Sequence, residues 1–580
     1  MAEGFDLVVR RGLVVDGTGA DPFVADVGVK GGRIAAVGQI AEGAGAEEID
    51  AAGLIVTPGF VDIHTHYDGQ ATWDDRMHPS SWHGITTVIT GNCGVGFAPC
   101  RPGERKILVK LMEGVEDIPE IVMDKGLPWS WETFPEFLDV VAGRRFDVDL
   151  GIQAPHSPIR VYVMGERGAA REPATPQDIE AMGDITAEAV RAGAFGVTTS
   201  RALNHRTRAG ELSPSFDAAA AELEGLARGL KKAGGGVFQM ITLGTAEAPE
   251  EFALMRRIVE AGGRPLSFTL LAGADGNDKW RQYLRLLEDS QPSAAQIRGQ
   301  VFARPVGVLH GLELAYHPFS LHPSYRPLEG LPLAQKVAAM RDPALRARLL
   351  AETAQDTNPN LVHQVNPAHP FYSLGDPPNY FPTPEHELGR VAEQRGISKL
   401  EALYDALLEN EGRAILMRPA ANFPDNRTGP LRELMNHPAT VLALGDGGAH
   451  YGSICDASYA THVLTRWVRD AEDGERFPLA WAVRELSARP AEMMGLDDRG
   501  VIAMGRKADL NVIDLERLEL RAPHVVYDLP AGGRRLRQKA RGYVATVVAG
   551  QVTYRDGEPT GALPGRLIRR GQTSLPMAAE

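Results

Sequence analysis

Apolar runs of five to seven residues recur along residues 58–450, several of them separated by longer segments with apolar positions three and four apart. FVDIHTH, GITTVITGNCG, DVDLGIQAPH, GAFGVTTS, GGVFQMITLG, PLSFTLLAG and ATVLALGDGG each have the length and β-branched content of a buried parallel strand. Between them, PQDIEAMGDITAEAVRAG and AAAAELEGLARGLKKAG have the spacing of amphipathic helices, each closed by glycine. Strands alternating with helices predict a parallel α/β barrel. PNLVHQV, at residues 359–365, is the nearest candidate for a strand between the sixth and the last, completing a (β/α)8 barrel.

The two ends of the chain have a different texture. DLVVRRGLVVDG, DVGVKGGRIAAVG and EEIDAAGLIVTPG at the start, and GVIAMGRKADLNVIDLE and RGYVATVVAGQVTYRDGE near the end, are short strands broken by Gly and Asp. Residues 1–57 and 500–565 are therefore expected to make one small β-sandwich domain beside a barrel spanning 58–499. Two stretches, near 100–145 and 275–385, exceed the usual connection and are rich in proline and aromatics, so they are expected to be lids over the barrel mouth.

Chemistry-bearing residues concentrate at the strand ends, where barrels of this kind place their active sites. His64 and His66 end the first strand, Cys93 the second, His156 the third and Asp446 the last. Residues two apart on a strand share a face, so both imidazoles can reach one point, a metal-ligand arrangement. His205, His310, His363, His369 and His450 lie in loop-like text, and His450, four residues after Asp446 in GDGGAH, is the strongest candidate among them for a role at the mouth.

Composition narrows the function. A formal net charge of -14 disfavours nonspecific binding to nucleic acid or anionic membrane, and no apolar run reaches the ~18 residues of a transmembrane helix. The start, MAEGFDLVVRRG, lacks the apolar core of a secretory signal, and three scattered cysteines give no disulfide framework, so a cytoplasmic protein acting on a small molecule is expected. Homo-oligomerisation is left open.

VVDGTGADPFVADVGVKGGRIAAVG, PGFVDIHTHYD, GNCGVGFAP, PWSWETFPEFLD, HPATVLALGDGGAH, SARPAEMMGL and GVIAMGRKADLNVID together make the chain similar, over nearly its whole length, to the N-acyl-D-amino-acid deacylase (D-aminoacylase) branch of the amidohydrolase superfamily. The resemblance implies a barrel with a small β-domain and a zinc-supported hydrolysis of an amide bond. It implies His64, His66, Cys93 and Asp446 as metal ligands, with Asp446 also the catalytic base. The chain departs from that branch in strands five and six, where VFQMITLG and LSFTLLAG contain no histidine. Gln239 stands near the missing first position, so one zinc ion is expected, with two as the alternative. The basic residue that holds a substrate carboxylate is also absent there, leaving Arg160, Arg201, Arg206 and Arg208 as substitutes. His156, Arg160, Gln239 and His450 are the candidate substrate contacts. The reaction expected is metal-dependent cleavage of a C–N bond in an N-acyl amino acid or small peptide-like compound. A lactone or cyclic amide is the rival substrate, and a catalytically silent scaffold is the rival outside enzymology.

Overall fold

The computed structural model describes residues 4–273, 277–290 and 297–572. Eight parallel strands form the barrel: Phe60–Asp62, Ile85–Thr90, Asp149–Ile152 continued by Ala154–Pro155, Gly196–Ser200, Val237–Ile241, Leu266–Thr269, Ile297–Val301 and Thr440–Leu442. The ring closes beyond the ends of the last and first strands, where Asp446 N–H donates to His64 O at 3.0 Å and His66 N–H to Gly447 O at 2.7 Å. The two expected helices are present as Pro176–Ala192 and Ala220–Ala233. The first is capped by Thr175, whose hydroxyl accepts from Asp178 N–H, and Gly193 and Gly234 close them in the left-handed region.

The seventh strand corrects the expectation from sequence. Ile297–Val301 (IRGQV) fills that place, paired in parallel with the sixth and eighth strands. PNLVHQV is instead a short helix, Pro359–Gln364, whose N-cap Asn358 accepts from Asn360 N–H with proline at the first helical position. The seventh strand escapes pattern reading because its barrel-facing position is Gln300, a buried amide where a hydrophobe would signal a strand.

The second expected lid, 275–385, therefore contains a barrel strand, and its residues 275–276 and 291–296 lie outside the described residues, as do residues 1–3 of the expected β-domain. The long insertion begins after Val301 and returns to the barrel at the helix Gly429–Asn436. It has a core of its own, with Phe319, Val337, Met340, Leu349, Leu403, Tyr404 and Leu407 packed together. An antiparallel ribbon, Val306–His310 with Leu416–Ala421, carries it back across the barrel mouth. The first insertion supplies the helix Arg105–Glu116.

Strands from both chain ends join in one nine-stranded sheet, in which Leu510–Ile513 pairs with Ile55–Pro58 and Phe5–Val14 pairs with three neighbours. Its apolar face forms a separate core around Val9, Val27, Val56, Leu510 and Val547. The seam with the barrel is ionic: Arg499 and Lys507 reach Asp149 at 2.8 and 3.0 Å, all fully buried. No helix among the described residues is long and apolar enough to cross a membrane.

Candidate functional site

The HTHYD stretch leaves the first strand with its two imidazoles on the cavity side and its flanking acids turned into the structure. Asp62 is fully buried beneath, where its Oδ1 accepts from His64 N–H at 3.1 Å, and burial raises its carboxyl to about 8. Asp68 braces the second strand, its Oδ2 accepting from Thr90 Oγ1 and Gly91 N–H at 2.5 and 3.1 Å. These acids brace the backbone on either side of the two histidines.

The four residues expected as ligands are brought together. Donor atoms of His64, His66 and Cys93 lie within 4.8 Å of one another. Nε2 of His64 is 3.3 Å from Cys93 Sγ and 3.5 Å from Asp446 Oδ1, and Nε2 of His66 is 3.7 Å from each of the same two atoms. Nδ1 of His64 donates to Gln300 Oε1 at 2.6 Å, and Gln300 Nε2 donates to Ser267 Oγ at 3.0 Å, so a neutral His64 turns its lone pair toward the cluster.

The backbone bends to make this convergence. Cys93, Leu444, Asp446 and His450 all have φ between 48° and 68°, the left-handed region that side chains other than glycine seldom occupy. Glycine is required beside Asp446: a Cβ on Gly445 would lie 2.0 Å from Asp62 Oδ2, and one on Gly448, at φ 87°, would meet His66 O at 2.7 Å. GDGG is thus a close-packed bend that aims the aspartate across the mouth.

Electrostatics follow the crowding. Burial pushes His64 down to about 4 and the Cys93 thiol up to about 12. Burial also opposes ionisation of Asp446, but the imidazoles beside it outweigh that and hold its carboxyl well below the usual range. For His66 burial is likewise outweighed, chiefly by Glu116, and the ring is raised well above the usual imidazole value. Asp446 Oδ1 is buried with no hydrogen-bond partner among the described residues, as is His66 Nδ1. Two imidazole nitrogens and a thiol within 4.8 Å of one another, with an orphaned carboxylate oxygen beside both imidazoles, are a donor set that fits a divalent ion such as zinc.

Glu116, like Gln300, is not among the residues the sequence singles out. Almost wholly buried, it sets Oε1 at 3.3 Å from His66 Nδ1 and Oε2 at 3.5 Å from His450 Nε2. Its signal was in the text: in RKILVKLMEGVE the acid falls four residues after Met112 on the buried face of an amphipathic helix. His450 is joined to the site by this contact, and its ring centroid is 6.4 Å from that of His66.

The other expected substrate contacts are placed elsewhere. His156 begins the helix His156–Met164, where its ring contacts Thr199 Oγ1 at 2.8 Å and Glu222 Oε1 at 2.9 Å. Arg160, one turn on, pairs with both oxygens of Glu222. This buried charge cluster engages both side chains, and neither lines the cavity. Gln239 is also below the cavity, accepting from Cys93 N–H at 3.3 Å, so it steadies the cysteine backbone. Two residues further along their strands, Ile241 and Thr269 occupy the mouth positions of strands five and six.

Above the cluster is a cavity of about 380 Å³, roofed by the insertions and lined also by His205, Arg206, Tyr316, Asn360 and Arg418. His205, from the loop after strand four, reaches it; Arg201 instead pairs with Glu251. His363 does not line it and packs against His369, ring centroids 4.5 Å apart.

Comparison with known proteins agrees with this architecture. The amidohydrolase family pattern matches residues 47–554. The D-aminoacylase and the N-acyl-D-glutamate deacylase of Alcaligenes xylosoxydans xylosoxydans are each 26% identical over 98% of this chain and 98% of their own. An uncharacterized protein of Mycobacterium tuberculosis is 26% identical over 98% of this chain and 96% of its own. Among solved structures, a D-aminoacylase described as having a binuclear metal centre superposes with a TM-score of 0.65 at 24% identity, covering 98% of this chain and all of that one. The N-acyl-D-glutamate deacylase of Bordetella bronchiseptica, in complex with zinc and a phosphonate inhibitor, gives 0.65 at 22% identity with the same coverage. The chain belongs to the amidohydrolase family and is a hydrolase of carbon–nitrogen amide bonds.

Proposed function

We propose that the protein uses one zinc ion, held by His64, His66 and Asp446 with Cys93 as fourth ligand, to hydrolyse the amide bond of N-acyl amino acids. The observation that carries this reading is the convergence of those four side chains on the floor of a roofed cavity. The relatives named D-aminoacylase and N-acyl-D-glutamate deacylase supply the substrate class. A bound zinc ion provides Lewis-acid polarisation of the scissile carbonyl and acidifies a neighbouring water.

The chain's own residues do the rest. Asp446, held as carboxylate between two imidazoles, accepts the proton of the attacking water at its free oxygen and returns it to the leaving nitrogen, so that acid and amine are released. Gln300 fixes the tautomer of His64, and Glu116 orients His66 from behind. The insertion roof limits bulk water, which strengthens each of these interactions. Strands five and six bring no histidine to the cysteine side, and His205 and His450, the other imidazoles of the cavity, lie outside the group of donors within 4.8 Å of one another, which favours one ion. Three unpaired, buried cysteines fit a reducing compartment, the cytoplasm. The test is a panel of N-acyl-D- and N-acyl-L-amino acids offered to the zinc-loaded protein alongside lactones and cyclic amides. Release of free amine from acyl amino acids is expected; turnover confined to lactones or cyclic amides would replace the reading.

A further inference from the structure

Six arginines are buried in the described structure: Arg10, Arg160, Arg304, Arg418, Arg499 and Arg535. Five of them face a carboxylate, namely Asp26, Glu222, Asp456, Asp149 and Asp528 respectively. Arg418, 4% exposed, has none within ion-pair distance among the described residues, and its hydrogen-bond partner is the neutral amide oxygen of Gln364. Its Nε has no partner there. A guanidinium in such a place is costly unless something anionic completes it.

Its position shows where that partner would sit. Arg418 lies opposite Val308 in the antiparallel ribbon that crosses the barrel mouth, and Val306, Val308, Arg418 and Ala420 form the face that lines the catalytic cavity. One buried cation is thus set on an otherwise apolar wall above the ligand cluster. Burial lowers the guanidinium only to about 10, so it remains charged at neutral pH. The neighbouring His310 is buried with neither ring nitrogen hydrogen-bonded among the described residues, and it adds no negative charge to compete.

We propose that Arg418 is the specificity residue of the cavity, binding a carboxylate of the substrate through its guanidinium while the amide lies over the His64–His66–Cys93–Asp446 cluster. The assignment rests on the amide-hydrolysis reading above. Arg206 and Arg208 line the cavity too, but Arg206 is held by the carbonyls of Leu203 and Gly210 and Arg208 is exposed to solvent, so Arg418 is the buried cation there without a counter-charge among the described residues. A planar fork matches a carboxylate in a way that a lysine does not.

The experiment compares acetate release from an N-acetyl amino acid and from its carboxamide, with wild type, Arg418→Met and Arg418→Lys, all zinc-loaded. Wild type should prefer the acid. In Arg418→Met the acid-to-amide ratio of kcat/KM should fall at least ~30-fold, mainly through KM, with partial recovery in Arg418→Lys. If wild type cleaves both compounds alike, or the ratio is unmoved in Arg418→Met, the proposal is overturned. Should Arg418→Met not fold, the wild-type ratio and the Arg418→Lys variant still decide. Thermal protection by the acid over the carboxamide is measured in parallel. Protection that is lost in Arg418→Met and partly kept in Arg418→Lys, without acetate release by any form, would keep the carboxylate site and refute amide hydrolysis instead.

Discussion

The barrel mouth has two unlike halves. Strands one and two bring His64, His66 and Cys93 together and the eighth sets Asp446 against both imidazoles, on backbone forced into the left-handed region at Cys93 and Asp446. Strands five and six end in Ile241 and Thr269, with regular strand geometry and no group able to bind a metal tightly. Both halves are built on the same parallel-strand scaffold, so the scaffold does not dictate the side chains at the mouth. The strained half is where chemistry is concentrated, and the relaxed half becomes wall. Polar support also differs: the ligand side is braced by Asp62, Asp68, Glu116 and Gln300, whereas Gln239 and Ser267 on the other side serve that same bracing.

The contrast yields predictions in order of severity. Replacing His64 and His66 together by alanine should abolish tight metal retention and turnover while the chain remains soluble, because both side chains face the cavity and not the apolar core. Metal content by plasma mass spectrometry checks this, and full occupancy would move the site elsewhere. Asp446→Asn comes next. It keeps the shape but removes the proton acceptor, so kcat should drop at least ~10²-fold. Near-normal turnover would show that another group is the base, and Glu116 would be the next to examine.

Glu116→Gln probes the bracing rather than the ligands. Loss of the carboxylate behind His66 should weaken metal affinity by roughly 10- to 100-fold in a competition titration with a chelator, with a smaller effect on kcat at saturating metal. The mildest effect on catalysis is expected from Arg160→Met. It leaves Glu222 buried with one partner fewer, which should cost about 3 kcal/mol of stability in urea unfolding while KM changes little. A raised KM with unaltered stability would return Arg160 to the substrate site.

Local signals in the sequence point to the residues that the structure brings together at the mouth. HxH after an apolar strand, cysteine and glycine at a strand end and GDGG each announce themselves within a few residues, and the structure brings them together. What stayed hidden depended on partners far along the chain. His156 stands at a strand end like the others, but Glu222, on a helix more than 60 residues later, draws its ring away from the mouth. Arg418 sits in LMRPAA, which has no motif, and its meaning comes only from the ribbon that faces it inward. The seventh strand was obscured because Arg298 and Gln300 break its apolar run, while Leu361 and Val362 gave a short helix the look of a strand.

The central claim is that one ion, held by the ligand half alone, supports amide hydrolysis. The direct measurement strips the protein with a chelator, titrates zinc back and follows release of amine from an N-acyl amino acid at each addition. Activity should be lost on stripping and should return along a line that breaks near one equivalent per chain. A break near two equivalents, or activity that survives complete removal of metal, would contradict the account.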